Sequence, residues 1–153
     1  MKLKTIFLAI PLSLILLVTL ASHAYCDDWL LIGKNKNYTL YYNSSSVIID
    51  NKNHVIKVMG KRVLTKKGKI EFFDDFNKDN VKEQEYIDLS YSIGLYLLDY
   101  QQRKYCFNDI TAYSKSGDVL YKDSSILKWE DITPESLNEI LINKLIKDYN
   151  IPR

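Results

Sequence analysis

The chain has 153 residues, a length that suits one domain with a single core. Its formal charge of +2 arises in the first 24 residues, which hold two of the 21 Lys and Arg and none of the 19 Asp and Glu. The remaining 129 residues carry 19 charges of each sign, so they lack the basic excess that nucleic-acid binding needs, and that class of partner is excluded.

Residues 1–24 read as a secretory signal peptide. Lys2 and Lys4 form a positive start, Ile6 to Leu20 is an apolar run, and Ser22 and Ala24 are the small residues that precede cleavage before Tyr25. The run is shorter than the ~20 residues a spanning helix needs, so no transmembrane helix is expected in the mature chain. The reading is therefore an exported protein, periplasmic or at the cell surface, with residues 25–153 as one domain. Lipidation of Cys26 is disfavoured, because Tyr25 and His23 stand where a small and an aliphatic residue are required. Cys26 and Cys106 are the two cysteines. In an oxidising compartment an even count suggests one disulfide, closing a loop of about 80 residues worth ~4 kcal/mol in the chain-entropy picture. Two unpaired thiols, or a lipidated Cys26 with Cys106 buried as a small apolar residue, are the alternatives.

Period-2 alternation dominates the mature chain. Trp29 to Gly33 and Thr39 to Asn43 read as strands, and Ser44-Ser45-Ser46 turns the chain into Val47 to Ile49. Asp50 to Asn53 is a turn cluster before a strand over Val55 to Leu64. Lys66-Lys67-Gly68 reads as a hairpin turn into Ile70 to Phe73, and the acidic stretch Phe73 to Glu85 as a loop with at most one helical turn. The strongest strand follows. Leu89, Tyr91, Ile93, Leu95 and Leu97 form its apolar face, and Ser90, Ser92, Gly94 and Tyr96 its wetter one. Turns at Tyr100 to Gln102 and Ser116 to Asp118 bound strands over Arg103 to Tyr113 and Val119 to Lys122. Thr133 as cap and Pro134 as first residue predict a helix over about 134–149, with Leu137, Ile140, Leu141, Leu145 and Ile146 on one face. The fold class is α+β: a curved antiparallel sheet of about six strands with a C-terminal helix packed on one face.

Signals for catalysis are weak. His54 is the one histidine beyond residue 24 and sits in a turn cluster, where a solvated side chain is the simpler reading. No zinc, P-loop or nucleophile-elbow motif occurs. No catalytic, metal or cofactor residue is expected, and the chain reads as a non-enzyme. Asp74, Asp75, Asp79, Glu83 and Glu85 cluster without the spacing of an EF-hand and read as a solvated acidic loop. Lys61, Arg62, Lys66, Lys67 and Lys69 read as solubilising charge around a hairpin. The many tyrosines suit both strands and protein-binding surfaces.

Five segments, in order, resemble the surface-adhesin protein E-like family of small exported bacterial proteins. They are Trp29 with its apolar tail, Tyr41-Tyr42-Asn43 with Ser46-Val47, Val55 to Met59, Tyr91 to Asp99 with Arg103-Lys104-Tyr105, and Trp129 to Ser136. Departures are Met59 in place of the usual Trp, Tyr100 where the central strand usually ends in a Cys motif, and Pro152-Arg153 without the usual terminal Cys. The family's tether from central strand to terminal helix is thus expected to be absent, with Cys26–Cys106 as its substitute. The resemblance implies a non-enzymatic adhesin-like binding protein recognising host matrix proteins, such as vitronectin and laminin, or cell-envelope components. It carries no ligand-binding residue across. The alternative is a periplasmic inhibitor or immunity-type protein whose acidic loop 74–85 enters the basic cleft of an envelope-degrading enzyme.

Overall fold

The structure, a computed structural model, describes residues 28–76, 87–124 and 128–152. The signal-peptide expectation, Cys26, Asp79, Glu83 and Glu85 lie outside the described residues.

One antiparallel sheet organises the molecule. Its strands are β1 (Trp29–Lys34), β2 (Tyr38–Asn43), β3 (Ile48–Asp50), β4 (Val55–Leu64), β5 (Leu89–Asp99), β6 (Lys104–Ser114), β7 (Val119–Asp123) and β8 (Glu130–Asp131). The spatial order is β1-β2-β4-β5-β6-β7, with β3 beside β4 and β8 beside β6. β2 and β3 therefore share one edge of β4, interrupted by a single 3-10 turn at Ser44–Ser46. The interruption leaves the Met59 N–H without a strand partner, and Ser46 Oγ accepts it at 2.9 Å. A backbone donor that a sheet strands is thus paired by a side chain.

The turns form where their side chains can bind backbone. Asn35 Oδ1 accepts from the N–H groups of Asn37 and Tyr38 at 2.8 and 2.9 Å, closing the β1–β2 hairpin. Asp50 accepts from Asn53 N and Nδ2, and Asp99 from the N–H groups of Gln101 and Gln102. Such Asx contacts mimic a backbone turn. The bonds from Asn53 also lower the Asp50 carboxyl below its ordinary pKa.

Two helices lie on one face. α1 (Lys66–Phe76) replaces the predicted hairpin turn and strand. Thr65 caps it, accepting from Gly68 N at 3.1 Å. Gly68 serves a close approach and no turn: a Cβ there would lie 1.9 Å from the Asn37 carbonyl oxygen. Asp74 is consequently on a helix, exposed, and not in a loop. α2 (Leu137–Asp148) begins later than its sequence suggests. Ser136 is the cap, its Oγ accepting from Glu139 N, while Glu139 Oε2 accepts from Glu135 N. These two bonds satisfy N–H groups on both sides of the start, which therefore falls at Ser136 and not at Thr133 and Pro134. Leu137, Leu141, Ile142, Leu145 and Ile146 bury against the sheet, whereas Ile140 is 44% exposed.

The core reverses the face expected of β5. Its inward residues are Ser92, Gly94, Tyr96 and Leu98, all buried; Tyr91, Ile93, Leu95 and Leu97 face the other way and are only partly buried. Gly60 of β4 pairs with Gly94 of β5, and the two leave a floor for large rings. A Cβ on Gly60 would come within 2.3 Å of Tyr96, and one on Gly94 within 2.7 Å of Phe107. The rings of Tyr96 and Phe107 occupy that space, 4.5 Å apart. Small residues face inward here because aromatic rings occupy the space that their side chains would fill. A register shift between Leu89 and Tyr91 returns Leu89 to the buried side.

Candidate binding surfaces

The face of the sheet opposite the helices has no described element packed on it. In register across β1, β2, β4, β5 and β6 it presents Trp29, Leu31, Tyr41, Lys61, Tyr91, Ile93 and Tyr113. Tyr91 and Tyr113 stack at 4.9 Å with 12° between their planes. The Lys61 ammonium sits 4.7 Å from the Tyr91 ring centre and 5.8 Å from that of Trp29. Those contacts hold the cation over aromatic faces rather than extended into water. Leu31, Ile48 and Val119 on the same face are each more than half exposed. The result is an apolar, aromatic field around the Lys61 ammonium, with Lys57 and Lys122 exposed on the same face, and aromatic residues are enriched at protein-binding surfaces.

A second feature lies at one end of the sheet. An open cleft of about 750 Å³ runs between the β3–β4 turn, the β5–β6 turn and α2. Arg103, held at a positive φ of 58°, donates from Nη1 to Asn143 Oδ1 at 3.0 Å and from Nη2 to Glu139 Oε1 at 2.8 Å. His54, also at φ 58°, places Nδ1 3.3 Å from the Tyr100 hydroxyl, with the two rings edge to face. His54 is therefore a part-buried wall of the cleft, more than the solvated turn residue its neighbours suggest. Nothing in its sequence surroundings signals this, because Tyr100 comes from a distant turn. Charge in the cleft is balanced by the Arg103–Glu139 pair.

The basic block does not form one patch. Lys61 is on the open face, Arg62 points to the helix side, and Lys66, Lys67 and Lys69 ride on α1. Lys67 pairs with Glu71 at 3.7 Å, and Lys69 donates to the Ile87 carbonyl. Of the acidic segment, only Asp74 has a described side chain. Cys106 is buried on β6, opposite Leu97 on the open face. Among the described residues no three His, Cys, Asp or Glu side chains gather to hold a metal ion. No described helix is long and apolar enough to cross a membrane.

Taken together, these features define a small α+β domain: helices on one side of an antiparallel sheet, an aromatic field on the other. The family model of surface-adhesin protein E matches residues 29–145, and the chain belongs to that family. Among solved structures it is similar to protein E of Haemophilus influenzae at 12% identity, with a TM-score of 0.54 over 82% of this chain and 89% of that one. A second crystal form of that protein matches at 13% and 0.52, over 80% and 90%, and its selenomethionine form at 13% and 0.53, over 81% and 89%. At such identities the likeness shows the fold alone. No curated protein matches the chain by sequence.

Proposed function

We propose that this is an exported, non-enzymatic adhesin-like protein that binds a protein partner through the open face of its sheet. The partner is a host matrix or cell-envelope component. The carrying observation is the field around Lys61, where Trp29, Tyr91 and Tyr113 are each partly exposed with no described element over them. Aromatic residues supply large contact area at low conformational cost, which is why they dominate binding hot spots. A cation held among them favours a partner that sets a carboxylate within an apolar patch. Family membership supports the adhesin reading, and the residue-level assignment is new to this chain.

The test is solid-phase binding of residues 25–153 to purified matrix proteins and to envelope fractions. Binding is expected to one of these classes and to fall at least tenfold in Lys61→Glu and in Tyr91→Ala. Retention of full binding by both variants would show that another surface is used. Absence of any retained partner from either class would overturn the reading.

A further inference from the structure

The open cleft at one end of the sheet is built from turns and a helix, with no strand residue among those that line it. Its walls are tied to one another. Tyr100 N donates to the His54 carbonyl at 3.0 Å, joining the β5–β6 turn to the β3–β4 turn. Arg103 joins the β5–β6 turn to α2 through Asn143 and Glu139. The volume, about 750 Å³, falls in the ~300–1,000 Å³ range of small-molecule sites. His54 and Arg103 each end their turn at a left-handed φ of 58°, a conformation that glycine adopts most easily. Both turns instead keep a large side chain there, and both side chains line the cleft.

The two charged side chains of the lining, Arg103 and Glu139, pair with each other at 2.8 Å, and the second Glu139 oxygen accepts from Glu135 N. Neither charge is left over for an ionic ligand. What remains is three side-chain amides, from Asn51, Gln101 and Asn143. Asn143 commits Oδ1 to Arg103 and keeps Nδ2. The side chains of Asn51 and Gln101 are exposed and make no hydrogen bond among the described residues. An amide donates and accepts from one planar group, whereas a carboxylate only accepts and an ammonium only donates. Beside the amides stand the edge-to-face rings of His54 and Tyr100, 5.5 Å between centres, and the aliphatic surfaces of Ile146 and Pro152.

We propose that this cleft binds a neutral saccharide. A sugar ring carries hydroxyls around its rim, each both a donor and an acceptor, and C–H bonds on its faces. The hydroxyls meet the amides of Asn51, Gln101 and Asn143, and the C–H faces meet the rings and aliphatic side chains beside them. An acidic or basic sugar finds no free countercharge, because Arg103 and Glu139 are already paired. An extended peptide also suits amides, but peptides dock by joining a strand edge, and none lines the cleft. The cleft shares no residue with the open face around Lys61, so its failure leaves the adhesin reading intact.

The experiment titrates residues 25–153 with maltose and with N,N′-diacetylchitobiose, following backbone amide shifts by NMR at constant pH and ionic strength. Glucuronate, glucosamine and the peptide mimic N-acetylglycine methylamide are titrated separately. At least one of the two disaccharides is expected to give saturating shifts at Gln101, Arg103 and Asn143, with affinity at least tenfold above the charged sugars and the peptide mimic. The double variant Asn51→Ala/Gln101→Ala removes two exposed amides that hold nothing else, and is expected to weaken binding at least tenfold, the worth of two neutral hydrogen bonds. Lys61→Glu, on the open face, is expected to leave it unchanged. Absence of saturating shifts with both disaccharides overturns the proposal. So does a charged sugar or the peptide mimic binding as tightly, or full affinity in the double variant.

Discussion

The glycine floor under Tyr96 makes a quantitative prediction. In Gly60→Ala the new methyl would lie 2.3 and 2.5 Å from two ring carbons of Tyr96, where carbon contacts settle at ~3.5–4.0 Å. The ring must shift by about an ångström, yet it is fully buried, rests on Phe107 and is tied to Arg62 through its hydroxyl. Overpacking costs ~1–3 kcal/mol, and weakening a hydrogen bond from a charged donor adds about 1.5 kcal/mol. Removing a glycine from a strand returns roughly 0.5–1 kcal/mol. The net is a loss of about 2–3 kcal/mol, or roughly 8–12 °C in Tm for a domain of this size. Urea denaturation gives the free energy directly. The double variant Gly60→Ala/Tyr96→Leu is expected to show a coupling of at least ~1 kcal/mol, because the clash and its target vanish together. A Gly60→Ala loss below about 0.5 kcal/mol, or additivity in the double variant, would refute the reasoning. Gly33→Ala is the control: its Cβ meets only the flexible end of Leu137 at 2.9 Å, and the loss should stay under ~1 kcal/mol.

Further outcomes separate the structure from simpler readings of the chain. Ser136→Ala should cost about 1 kcal/mol by thermal denaturation and Thr133→Ala under ~0.5, because Ser136 is the α2 cap. Burial pushes the Tyr96 hydroxyl up to about 12 against a partial offset from Arg62. Its neutral form is therefore favoured in the fold: the contribution is whole below pH ~10 and lost as pH rises towards 12, by about 3 kcal/mol in total. Ring-carbon NMR of labelled tyrosine should show Tyr96 untitrated at pH 11, where an exposed tyrosine is largely ionised. The proposed Cys26–Cys106 bridge has a structural cost. Asp28 is held at Ser44, its carbonyl accepting from Ser44 N at 3.0 Å. Two residues reach ~7 Å and a disulfide spans at most ~6.8 Å between Cα atoms, whereas β1 and β6 are four strand spacings apart, ~19 Å. Bridging is expected to lift Trp29–Leu31 off β2, read as lost amide protection there on oxidation. Two reactive thiols in the denatured, unreduced protein would refute the bridge.

The sheet was legible because alternation and turn residues recur together. β4, β5 and β6 fall where Val55–Leu64, Leu89–Leu97 and Arg103–Tyr113 place them, within a residue or two. What alternation could not supply was the inward face of β5. A period-2 pattern says that two faces differ, and hydrophobicity then picks the apolar one. Here the depth of the core is set by rings from neighbouring positions, so Ser92 and Gly94 are buried and Ile93 and Leu95 are not fully so. α1 escaped detection because Gly68 has two meanings in sequence, a turn or a close approach, and only the carbonyl of Asn37 decides between them. The cleft residues His54, Tyr100, Arg103 and Glu139 come from three separate elements, and no local pattern links them.

The reversal at β5 bears on function directly. A sheet that turned Tyr91, Ile93, Leu95 and Leu97 inward would have left serines, glycines and one tyrosine outside, a poor surface for binding. By filling the interior with Tyr96, Phe107 and Arg62 over a glycine floor, the fold leaves its aliphatic and aromatic row outside, with Tyr113, Lys61 and Trp29 in register beside it. An apolar row on a sheet exterior is an aggregation liability unless a partner covers it. Its position in the central strands, away from either sheet edge, lets it be covered by docking face to face and not by adding a strand. Substitutions that fill the floor and substitutions on the open face should therefore separate cleanly: Gly60→Ala lowers stability and leaves partner affinity per folded molecule unchanged, and Lys61→Glu does the opposite.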